Sequence, residues 1–140
     1  MRRRKGQAVV EFALVFPFFL LIVIGGIIDF GFAFYNHITL QQIANNTAKF
    51  AAENPSETIK IFEYANKQKP KWWEGKFTVY PIQPINLHSG GTLYKAAVSY
   101  ESQAYTPFYK AMFKVTNGVE YLRLSAAAAY KTPQYLKSDK

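Results

Sequence analysis

The chain has 140 residues, 49% of them apolar and 17% aromatic, which suits one compact domain and excludes both a disordered chain and two full-sized domains. Lys and Arg number 17 against 9 Asp and Glu. Arg2, Arg3, Arg4 and Lys5 hold four of those positives at one end, and the dispersed remainder is a poor fit to nucleic acid, whose phosphates call for cations clustered on one face. With no cysteine, disulfides, thiolate metal sites and thiol nucleophiles are removed together.

In chain order, the first element is apolar. Phe12 to Ile28 carries no charged or strongly polar side chain, and the apolar character runs from Ala8 to Tyr35 with only Glu11 and Asp29 inside it. As helix these stretches cover about 25 Å and about 42 Å, against a hydrocarbon core of about 30 Å, so one membrane crossing is expected. The basic run ahead of it, with no further Lys or Arg before Lys49, orients the amino terminus to the cytoplasm. A cleaved secretory signal has a shorter apolar core, about 7–15 residues. Here the segment after the span continues as helix to Ala52, with Leu40, Ile43, Ala44, Thr47, Ala48 and Ala51 at three- and four-residue steps.

The border of the span holds candidate functional residues. Gly6 follows the cations, Gln7 opens the apolar segment, and Glu11 lies inside it beside Phe12. A carboxylate there costs a few kcal/mol in lipid unless it is hydrated at headgroup level or meets a partner, and both readings stand. Pro17, Gly25, Gly26 and Gly31 either thin and loosen the helix for close packing or reflect the ordinary tolerance of membrane helices for these residues. Asp29 reads as a marker of the outer interface.

Beyond the span the pattern is α+β. Asn54-Pro55-Ser56-Glu57 predicts the start of a second helix, capped by Asn54 and ending near Lys69-Pro70. Phe77 to Ile82 has strand character weakened by Pro81, a loop is expected from Pro84 to Gly91, and Leu93 to Glu101 alternates as a strand with Tyr94, Ala96, Val98 and Tyr100 on one face. Asn117-Gly118 predicts a hairpin turn into a strand over Val119 to Tyr130, where Leu122, Leu124, Ala126 and Ala128 share a face. The expected fold is a long amino-terminal transmembrane helix continuing into an amphipathic half that packs on a small antiparallel sheet, which without disulfide or metal would otherwise have a marginal core. His37 and His88 stand in no metal or nucleophile spacing, and no catalytic residue, cofactor, metal or small-molecule substrate is expected. Trp72 and Trp73, with Lys67, Lys69, Lys71 and Lys76 nearby, are a candidate interaction patch or a loop anchored by buried Trp.

The run Gly6-Gln7-Ala8-Val9-Val10-Glu11-Phe12-Ala13-Leu14-Val15-Phe16-Pro17, with Gly26-Ile27-Ile28-Asp29-Phe30-Gly31 after it, resembles the head of TadE-like pseudopilins of the tight-adherence (Tad) pilus, a type IV pilus system. The likeness extends through Thr47-Ala48-Lys49-Phe50-Ala51-Ala52 and, more loosely, through Val98-Ser99-Tyr100, Thr106-Pro107-Phe108 and Ser125 to Tyr130. Lys131-Thr132-Pro133 departs from it, lacking the acid common at that end of the family. The resemblance implies a leader, residues 1–6, removed by a prepilin peptidase between Gly6 and Gln7. It implies a membrane segment over 7–35, a pilin-like domain over 36–140 outside the cytoplasmic membrane, and entry into an extracellular pilus. It also implies that Glu11 pairs with the amine freed at Gln7 of a neighbouring subunit, an amine whose reference pKa is about 7.7–8.0. Its implied partners are the membrane, the peptidase, other pilin or pseudopilin subunits and the Tad assembly machinery, and its implied roles are adhesion, biofilm growth and surface contact. The alternative is an unprocessed, signal-anchored extracytoplasmic binding module.

Overall fold

The computed structural model describes residues 2–133, with side chains from Gly6 onward. Met1 and the side chains of Arg2 to Lys5, on which the orientation argument rests, lie outside the described residues. The elements are helix α1 (Arg2–Glu53), helix α2 (Thr58–Lys67), strands β1 (Phe77–Val79), β2 (Gln83–Asn86) and β3 (Thr92–Gln103), helix α3 (Pro107–Asn117) and strand β4 (Tyr121–Lys131). The fold is α+β, a long apolar helix followed by a small antiparallel sheet. The described chain divides into two compact units: the head up to Phe32 together with Gln103–Tyr121, and Ala33–Ser102 together with residues 122–133.

In the sheet-bearing unit, β3 is the central strand, pairing with β1, β2 and β4. Val79 pairs with Val98 and Gln83 with Lys95, both antiparallel, so the register slips by one residue across Tyr80-Pro81-Ile82. Pro81 has no N–H to give a ladder, and the chain accommodates it as a bulge between two short strands. Gln83–Asn86 is therefore strand, correcting the loop expected from Pro84. All four of its side chains are exposed, which gives the alternation nothing to read.

The core joins the helix to the sheet. Leu40, Ile43 and Ala44 of α1 meet Val98 and Tyr100 of β3, Ala126 of β4 and Trp73, with Phe77, Val79, Leu124 and Ala128 around them. All six positions of the expected α1 stripe are buried, because three- and four-residue steps keep them on one side of a helix. Trp73 stacks on Tyr100 with ring centroids 4.0 Å apart. Its indole N–H donates to Asn36 Oδ1 at 2.8 Å, and Asn36 Nδ2 donates to Ser102 Oγ at 3.1 Å, so three buried polar groups satisfy one another. Gly75 is obligatory beside them: a Cβ there would lie 1.8 Å from the Glu101 carbonyl oxygen.

Two helix boundaries differ from the sequence reading. Asn54 does not cap a second helix. Its backbone N–H and its side-chain amide both donate to the Phe50 carbonyl, at 2.9 and 3.2 Å, completing the last turn of α1. The second helix starts at Thr58 after Glu57, whose carboxylate takes Lys60 at 2.8 Å instead of a backbone N–H. Asn117-Gly118 likewise makes no hairpin: Gly118, at φ 73°, is the left-handed cap of α3, its N–H donating to the Lys114 carbonyl at 3.0 Å.

Candidate functional site

The head of α1 is a bare apolar helix. Every described side chain from Gln7 to Ile24 is exposed, as expected of a segment whose solvent is lipid, and α1 is the one helix among the described residues long and apolar enough to cross a membrane. Pro17 lies within it without breaking it, although its missing N–H removes the bond that would reach the Ala13 carbonyl. Around Gly6 the space is open, with nothing within 4 Å of a Cβ placed there. Gln7 Nε2 donates to Glu11 Oε1 at 3.1 Å, one turn away, and Phe12 stacks on Phe16 at 5.3 Å. A neutral amide offsets only part of the cost of a carboxylate in lipid, so Glu11 retains acceptor capacity for a cationic partner.

Farther along α1, Asp29 has a structural task that reading it as an interface marker missed. It is 6% exposed, and its carboxylate holds the entry to α3. Oδ1 accepts the Tyr105 N–H at 2.7 Å, both oxygens accept the Thr106 N–H at 3.2 Å, and Oδ2 takes the Thr106 hydroxyl in a closer contact. Thr106 precedes Pro107 at the first turn of α3 and makes no side-chain cap of its own, so Asp29 supplies the negative charge that a helix N-terminus favours. The signal was an acid within an apolar run; its partners, two backbone N–H groups and a hydroxyl 76 and 77 positions away, carry no mark in the sequence.

Gly25 and Gly26 lie against this clamp, Gly25 in ordinary contact and Gly26 in a closer one. A Cβ at Gly25 would stand 3.4 Å from the Thr106 side chain, and one at Gly26 would stand 2.6 Å from the Tyr109 hydroxyl, which donates to the Ile22 carbonyl at 3.2 Å. These two glycines, expected to serve close helix packing, admit a helix of the same chain. Gly31 meets nothing within 4 Å. Phe30 completes the contact, edge-on to Tyr109 at 5.5 Å and to Phe113 at 6.4 Å. Beside it an apolar groove of about 470 Å³ is lined by Phe18, Leu21, Ile22 and Gly25 on α1 and by Pro107 and Phe108.

The expected Trp72-Trp73 patch is divided. Trp73, 3% exposed, belongs to the core, while Trp72 is 60% exposed, because Trp72 lies on a tight turn closed by the Trp73 N–H donating to the Pro70 carbonyl at 3.2 Å. His37 and His88 are both exposed and 51 positions apart in sequence. No group of three metal-ligating side chains occurs among the described residues.

Comparison with known proteins places the head of the chain. The family model described as TadE-like protein matches residues 6–49, a stretch that includes Gly6, Gln7, Glu11, Phe12, Pro17, the glycines, Asp29 and Asn36. Trp72, Trp73 and α3 lie outside the match. No curated protein and no solved structure matches the chain.

Proposed function

We propose that this chain, with its TadE-like head, is a membrane-anchored, pilin-like structural subunit that takes part in assembling a Tad-type pilus for adhesion, biofilm growth or surface contact. The observation that carries the reading is Glu11, an exposed carboxylate on an otherwise apolar surface of α1, within the matched segment, with only a glutamine amide beside it among the described side chains. Its role is in assembly and not in catalysis.

In this reading a prepilin peptidase cuts between Gly6 and Gln7, where the chain is uncrowded. Cleavage removes the four cations that hold the terminus in the cytoplasm and creates an α-amino group one helical turn from Glu11. When helices of neighbouring subunits bundle, the carboxylate and an amine enter the apolar core together; each offsets the other's desolvation, whereas either alone would be costly. The α1 span keeps the subunit in the cytoplasmic membrane with the sheet outside until assembly. Burial of Trp73 removes half of the surface that the binding-module alternative relied on.

The test is Glu11→Gln in the native host, measured as incorporation into pili or the pilin complex, with membrane level and Gly6-Gln7 cleavage as controls. Membrane insertion persists, because an apolar segment with one charge fewer inserts at least as well, and incorporation falls. Normal incorporation with normal cleavage would remove the pairing and leave Glu11 as a hydrated interface residue.

A further inference from the structure

We infer that α3 (Pro107–Asn117) is a second membrane-contacting element, an interfacial helix whose Phe108-Met112-Val115 edge sinks into the outer leaflet beside the α1 span. The depth follows from what holds it. Asp29, Gly26, Gly25 and Ile22 are its contact points on α1, and Ile22 to Asp29 is about 10 Å of helix rise. Those positions form the outer end of the apolar run that closes at Ile28. A helix fastened there lies within about 5–10 Å of the hydrocarbon boundary, the depth at which amphipathic helices rest in a bilayer.

The faces of α3 match that placement. Tyr109 and Phe113 turn to α1. Phe108, Met112 and Val115, spaced by four and three residues, form an exposed apolar edge, and Val115 is 87% exposed. This edge points inward along the span, since Phe108 lines the same groove as Phe18 and Leu21, deeper residues of α1. Lys110 and Lys114 fall roughly opposite it at about 100° per residue, directed at headgroup level, where long cationic side chains snorkel and meet anionic lipid. Lys114 shares its charge with exposed Glu120 at 3.2 Å, a weak pair that leaves it free to do so. The lipid-facing surface of α1 thus continues without interruption across the groove onto α3, and bilayer lipid is its occupant. The inference rests on α1 crossing the bilayer, one part of the proposed function, and not on filament assembly.

Because the chain has no cysteine, one introduced thiol reports one position. Full-length Val115→Cys and, separately, Met112→Cys would carry a bimane label in vesicles of phosphatidylcholine and phosphatidylglycerol, beside Phe19→Cys in the span and Thr58→Cys at the start of α2. Quenching is read from nitroxides on the upper and on the lower acyl chain, and from aqueous iodide. Labels at 115 and 112 are expected to lose roughly half of their emission to the upper nitroxide, as the span label does to the lower, and little to iodide; the Thr58 label is quenched by iodide and by neither nitroxide. Iodide quenching at 115 and 112 with a normal span label would overturn the inference alone. Shielding from iodide and from both nitroxides would overturn it in favour of a neighbouring copy's helix. A span label indifferent to both nitroxides would overturn the membrane crossing and this inference with it.

Discussion

Replacing Asp29 with Asn tests the clamp between α1 and α3 with little change of size. In the native chain the carboxylate receives two backbone N–H groups and a hydroxyl, and it is nearly buried. An amide keeps one acceptor oxygen but puts an NH2 group where the second oxygen met Thr106, and it removes the charge facing the first turn of α3. Hydrogen bonds to a charged group contribute about 1.5–3 kcal/mol each, and one such bond, together with part of the dipole term, is lost. A net loss of about 1.5–3 kcal/mol corresponds to a roughly ten- to hundredfold rise in local opening. Amide hydrogen exchange of the membrane-reconstituted full chain reads this directly: Tyr105, Thr106 and Lys110, whose N–H donates to the Thr106 carbonyl at 3.1 Å, should lose that much protection. Amides of β3 residues 92–100 should not change. Wild-type protection at all three positions in Asp29→Asn protein would refute the clamp.

Two further outcomes follow from the sheet-bearing unit. Asn36→Leu strips the Trp73 indole and Ser102 of their mutual partner and is expected to cost about 2–4 kcal/mol, read as a lower urea midpoint; an unchanged midpoint would show that water takes over these groups. A chain beginning at Asn36 should unfold cooperatively while one beginning at Asn54 should not, because the latter lacks Leu40, Ile43 and Ala44 from the core, and large-to-small losses of about 2–5 kcal/mol each exceed what a small domain can spare. Equal thermal midpoints for the two would show that the sheet stands alone.

Periodicity made the helix and its buried stripe legible: apolar residues from Leu40 to Ala51 repeat at helical spacing over several turns. The long β3 strand was readable for the same reason, its inward side chains alternating from Tyr94 to Tyr100. Short elements were not. The four exposed residues of β2 carry no alternation, and α3 was hidden because Asn117-Gly118 fits a hairpin turn and a left-handed helix cap equally, the choice resting on tertiary contacts to α1. Asn54 shows the same ambiguity at finer scale, its amide satisfying the end of one helix or the start of the next. At the candidate site, Glu11 stood out as a charge in an apolar run. Asp29 stood out too, but its partners are backbone groups on a distant segment, and the glycines beside it gave no sign that a helix of the same chain approaches them.

The mature amino terminus tests the assembly reading most directly. Protein extracted from the membranes of its native host, and not from a host lacking the peptidase, would be measured by intact mass and terminal sequencing. The expected molecule begins at Gln7, with Glu11 as its fifth residue and Arg2 to Lys5 gone. Protein that retains those four cations would contradict processing and return the chain to an unprocessed signal anchor.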